Sequence, residues 1–106
     1  MKIRFFETNR GQAPVREYID SLPTRDVAKI GAALSDIAEH GLRDALTQLR
    51  QIRGTLWEIK IQPHRIFYAV VEGDTLVLLH AYRKQSQRAP KNEIATALGR
   101  LKVLTE

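Results

Sequence analysis

The chain has 106 residues, 43% hydrophobic and only 7% aromatic, with a net charge of +5 and a pI near 9.9. That length suits one compact domain with a modest core, and a single domain over residues 1–106 is expected. The absence of Cys excludes disulfides, thiolate chemistry and Cys-ligated zinc, while the lack of a signal-like or membrane-length apolar run makes a cytoplasmic protein the expectation.

The first strand is predicted over Met1–Phe6, with Ile3 and Phe5 on one side, and Gly11 then breaks the chain. Pro14 suits the first turn of a helix, where its missing N–H has no partner to lose. Val15, Tyr18, Ile19 and Leu22 follow at helical spacing, and Pro23 closes that segment. Val27, Ile30, Leu34, Ile37 and Ala38 then make one apolar stripe. Thr24 is the expected cap of this second helix, and Gly41 the residue past its end. The two helices are expected to form a hairpin.

Near Leu49 the period changes to two. In TLWEIKI, Trp57, Ile59 and Ile61 share one face, while Glu58 and Lys60 take the other. The first set is expected in the core. QPH is a turn. RIFYAVVE is almost continuously apolar, as in a strand covered on both faces, and Glu72–Thr75 signals a tight hairpin into LVLLHAYRK. These three strands form an antiparallel meander, and residues 49–53 could add a short strand before it. Pro90 restarts a helix striped by Ile94, Leu98, Leu101 and Leu104. The order is β-α-α-β-β-β-α, with one further short strand optional, and the class is α+β.

Charge is unevenly placed. Residues 1–49 hold seven Lys/Arg and seven Asp/Glu, whereas residues 50–106 hold ten and five. No acid lies between Asp74 and Glu93. A one-sided basic surface suits phosphate or an acidic protein, or is simply solvated. Nucleotide-cradle motifs are absent, no GxSxG elbow occurs, and the three His lack metal-ligand spacing. No metal or cofactor is therefore expected.

The meander should bring basic and aromatic groups to one end of the sheet. Lys60 sits late in its strand, His64 and Arg65 open the next, and His80, Tyr82, Arg83 and Lys84 close the last. Metal-free RNA cleavage needs such a cluster. It requires a base for the 2′-OH, cations for the charge on phosphorus, and an acid for the leaving 5′-oxygen. Arg offers a planar fork to phosphate, and Lys among other cations releases a proton more readily. Plainer roles exist for each residue. Arg65 can pair with Glu58 or Glu72, Lys60 can be solvated surface, and His80 can be a satisfied core His. His64, after Pro63, is expected to be exposed. Tyr82 is either core edge or a stacking platform.

The ordered set LWEI, RIFY, LLHAYRK and Q-x-x-P-x-x-E-I resembles the RelE/ParE toxin superfamily, in particular its phage-derived HigB-like branch. The likeness runs over roughly residues 1–104 and is strongest from Gly54 to Ile94. It implies a RelE-like microbial RNase fold: a small antiparallel sheet, a helical hairpin on one side and a C-terminal helix. It implies the toxin of a type II toxin–antitoxin pair, an endoribonuclease and mRNA interferase that cuts mRNA in the ribosomal A site. The implied partners are an antitoxin, commonly of helix-turn-helix type, the ribosome and mRNA, with operator DNA reached through the antitoxin. Carried over by position, the catalytic set is Lys60, Arg65, Arg83, Lys84 and Tyr82, and the RNA-binding set is His64, His80, Arg88 and Lys91. The family's Tyr or His after the basic pair is missing here. Lys60, Tyr82, His64 and His80, in that order, are the candidate bases. The alternatives are a ParE-like gyrase inhibitor and a non-catalytic nucleic-acid-binding relative.

Overall fold

Two apolar layers sandwich one sheet, and the alternation of side chains along the strands decides which layer each residue joins. The computed structural model describes residues 1–87 and 90–106. In chain order its elements are β1 (Lys2–Phe5), α1 (Pro14–Asp20), α2 (Thr24–Asp44), β2 (Gln48–Arg53), β3 (Leu56–Ile61), β4 (His64–Val71), β5 (Thr75–Arg83) and α3 (Lys91–Thr105). The sheet order is β1-β5-β4-β3-β2. The expected α+β class holds, and the optional short strand is β2. The sheet is mixed, not purely antiparallel, because β1 runs parallel to β5. The α1–α2 crossover carries the chain away from β1, which leaves it free to lie parallel beside the last strand.

On one face, Ile59, Ile61, Ile66, Tyr68, Leu76, Leu78 and Ala81 pack with Val15 of α1 and with Ile30 and Ile37 of α2. On the other, Leu56, Phe67, Ala69, Val77, Leu79 and Tyr82 pack with Ala97 of α3. Helices on both faces explain why β4 and β5 are apolar at almost every position. Each fully buried large side chain contributes roughly 1.5–3 kcal/mol of transfer free energy, so β4 and β5, both buried on two faces, anchor the core together.

Local signals held unevenly. Pro14 does open α1. Thr24 is not the cap of α2: it is the first helical residue, Pro23 precedes it, and no side chain caps the end. Gly41 takes the left-handed φ of 78°, as a helix-ending glycine does, but a further helical turn carries the element on to Asp44. Trp57 departs from its expected core place. It is 36% exposed while Ile59 is fully buried. It instead lines an open apolar groove of about 550 Å³ with Leu42, Leu49, Tyr68 and Val70.

Burial pushes the Tyr68 phenol up to about 12. Its folded value then exceeds its unfolded one, so its stabilising contribution is complete below pH 10 and lost as pH rises from 10 towards 12. Alkaline unfolding followed by circular dichroism should therefore show stability falling over that window, and falling less steeply in Tyr68→Phe.

Candidate functional site

The pairing register alone builds a pocket on the α3 face. Gln48 lies opposite Lys60, Lys60 opposite Arg65, and Arg65 opposite Tyr82. The next row on the same face is Arg50, Glu58, Phe67 and His80. A register shift in β5 makes this possible. Phe67 pairs with His80 but Tyr68 pairs with Leu78, so Leu79 is an extra residue. Without that bulge, strict alternation from Leu76 and Leu78 would send His80 and Tyr82 to the α1–α2 face. With it, Tyr82 joins Phe67 and Leu79 under α3. Bulges beside functional sites commonly re-aim side chains in this way.

The resulting cavity is about 460 Å³, lined by Gln48, Leu49, Arg50, Glu58, Lys60, Arg65, Lys84 and Gln87. Among the described residues four cations surround one carboxylate, a donor set that suits an anionic ligand. Glu58 is 1% exposed and binds the floor together. Its Oε1 accepts a 3.2 Å hydrogen bond from Arg50 Nη2 and lies 3.6 Å from Arg65 Nε. Its Oε2 accepts the Tyr82 hydroxyl at 3.2 Å. Arg65 Nη1 donates to Gln62 Oε1 at 3.2 Å and to the His64 carbonyl at 3.1 Å. Of the plainer roles for Arg65, pairing with Glu58 is the one realised.

Burial, and then the charge of Glu58, push the Tyr82 phenol well above its ordinary value. It stays protonated at neutral pH and donates to Glu58, which unfits it as a base. It is core edge, 6% exposed, with its ring 5.4 Å from that of Phe67.

The other expected residues scatter. Arg83 does not join Arg65. Alternation after the bulge turns it to the opposite face, where it pairs in register with His64 and is exposed. There it acts on the Tyr18 phenol, lowering its pKa against the larger upward effect of burial. His64 is fully buried, contrary to its expected exposure. Helices α1 and α2 cover it: its Nδ1 is 2.6 Å from the Tyr18 hydroxyl, and its Nε2 is 3.6 Å from Asp26 Oδ2. His80 has both ring nitrogens occupied, by Glu93 at 2.7 Å and by Arg100 at 3.0 Å. It is the satisfied core His and ties β5 to α3, not a free RNA ligand. Lys91 opens α3 and is exposed, outside the pocket lining. Arg88 lies outside the described residues.

Of the polar lining, Gln48, Arg50, Glu58 and Gln87 were not named as site residues from the sequence, Glu58 entering only as a partner for Arg65. The first two come from β2, whose apolar residues Leu49 and Ile52 lie three apart and join opposite faces, so no period-two signal marks them.

A family model described as phage-derived protein Gp49-like (DUF891) matches residues 17–102. No curated protein matches the sequence at a significant level. Among solved structures, a chain of the RelB–RelE antitoxin–toxin complex from Methanococcus jannaschii is similar, with a TM-score of 0.56 and 13% identity over 78% of this chain and 89% of that one. The family match runs from α1 into α3 and includes the whole pocket lining. The chain therefore belongs to the Gp49-like phage-derived family, on an α+β fold similar to that solved in the RelB–RelE complex.

Proposed function

We propose that this chain is the toxin of a type II toxin–antitoxin pair, of the HigB-like branch, and an endoribonuclease that cuts mRNA in the ribosomal A site. The observation that carries the reading is the gathering of Arg50, Lys60, Arg65 and Lys84 around one cavity at the sheet end. Its fold likeness is to a chain from an antitoxin–toxin complex, which supports a cognate antitoxin as partner. The ribosome, mRNA and, through a helix-turn-helix antitoxin, operator DNA complete the partner set, and place the activity in the cytoplasm.

In this mechanism the 2′-oxygen attacks the adjacent phosphorus, forming a 2′,3′-cyclic phosphate, and the 5′-oxygen leaves. The cations stabilise the charge that builds on the phosphoryl oxygens, which is the largest contribution such a site can make. Of the four candidate bases, His64 is buried on the far face, His80 is doubly bonded and Tyr82 is held protonated. Lys60 remains. It lines the cavity and has no ion-pair partner among the described residues. Lys60 acts in its neutral amine form, taking the 2′-OH proton and becoming the ammonium, while Lys84, an ammonium, gives its proton to the leaving 5′-oxygen and Arg50 and Arg65 stay charged throughout.

The test is a cell-free translation reaction on one defined mRNA with new 5′ ends mapped. Ends within codons that appear only during translation are expected. Translation undisturbed, with no new ends, would sink the nuclease reading.

A further inference from the structure

We infer that Arg50, on the edge strand β2, is the guanidinium that reaches substrate phosphate beside Lys84, while Arg65 beneath it fixes the pocket floor through Glu58. The inference rests on the RNA-cleaving reading above and redistributes roles within it.

The argument starts from exposure. The Arg65 side chain is only 8% exposed, whereas that of Arg50 is 64% exposed, and both share Glu58 Oε1. Arg65 has committed Nε towards Glu58 and Nη1 to Gln62 and His64. Little of its fork remains to meet a ligand. Among the described residues Arg50 makes one hydrogen bond, through Nη2, of the five donors its guanidinium carries. It lines the same cavity as Lys60 and Lys84.

Position favours the same division. Arg50 pairs with Glu58 across the β2–β3 ladder, one row along the strand from Lys60. The β2 strand is the sheet edge, so a side chain there can swing without repacking the core. Only the Arg50 end of this pair is in solvent, and it meets Glu58 through a single hydrogen bond, so the guanidinium can turn to another anion while Glu58 keeps Arg65 and Tyr82. Phosphate, with more acceptor oxygens and a bidentate fit to guanidinium, competes well for it. Glu58 is the positioning residue: it holds Arg50 over the cavity mouth until phosphate replaces it.

The probe is a single-stranded oligouridylate, with affinity measured across a salt series. Each phosphate contact contributes about 0.7 to the slope of log affinity against log salt for single strands. Arg50→Gln should make that slope shallower by about 0.7 and weaken binding at least threefold, with an unchanged melting temperature. Lys2→Gln removes the same charge at the opposite sheet edge, where it pairs with Asp74, and should leave the slope unchanged. Wild-type binding with equal slopes in Arg50→Gln would overturn the role of Arg50 and leave the RNA reading standing. No wild-type binding would overturn the direct phosphate contact of Arg50, while the nuclease reading is decided separately by the mapping of new 5′ ends during translation.

Discussion

Replacing Arg65 by Ala is expected to lower the melting temperature by roughly 12 °C, a loss of fold and not only of RNA cleavage. Removing one partner of a buried charged pair leaves the other without compensation and costs about 3 kcal/mol or more. Glu58 is 1% exposed and would retain only Arg50 and Tyr82. The Gln62 side chain and the His64 carbonyl would lose their donor as well. At about 4 °C per kcal/mol for a chain of this size, the shift is easily seen by thermal denaturation. The exposed pair Lys2–Asp74, at 3.7 Å, sets the contrast: Lys2→Ala should move the midpoint by no more than about 2 °C. A midpoint for Arg65→Ala within 3 °C of wild type would mean that Arg50 and Tyr82 suffice to hold Glu58. The floor described above would then be wrong. It follows that loss of toxicity in Arg65→Ala cannot by itself separate a nuclease from a binding protein, because an unfolded variant of either is inert.

The meander was legible because β3, β4 and β5 declare themselves by period and by a turn at each junction. So was the double coverage of the sheet, since RIFYAVV has no polar face to give to water. What the sequence hid was parity. Leu79 looks like any strand leucine, with no Gly to mark a bulge, yet the bulge decides that Tyr82 faces Arg65 and that Arg83 does not. Of the basic pair Arg83–Lys84, only Lys84 therefore lines the cavity with Arg65, although both line a smaller pocket beside Glu93 at the sheet end. His64 was misplaced for a different reason. Its turn reads as exposed locally, and only the tertiary packing of Tyr18 and Asp26 over it makes it core. Strand β2 was faint because its Leu49 and Ile52 are half-buried, as on an edge strand, so Arg50 and Gln48 had no frame to be read in. In each case the missing information is long-range, carried by which element lies beside which.

On the proposed nuclease reading, Lys84→Ala should lower RNA cleavage by about 10²–10³-fold and leave the melting temperature within roughly 2 °C of wild type. The side chain lines the cavity, but Lys84 ties to the fold through its backbone N–H, which donates to the Pro63 carbonyl at 2.9 Å. Truncating the side chain leaves that bond in place. A cation that neutralises charge developing in the transition state acts mainly on kcat, so KM should change much less. The neighbour supplies the control. Arg83 is one residue away, equally cationic and turned to the other face, so Arg83→Ala should cost less than tenfold. The ratio of the two effects reports which face of the sheet RNA occupies. Equal losses would mean that substrate wraps the sheet end, contacting both faces. A larger loss for Arg83→Ala would move the reaction to the side of Tyr18 and His64, and the cavity under α3 would no longer be its site.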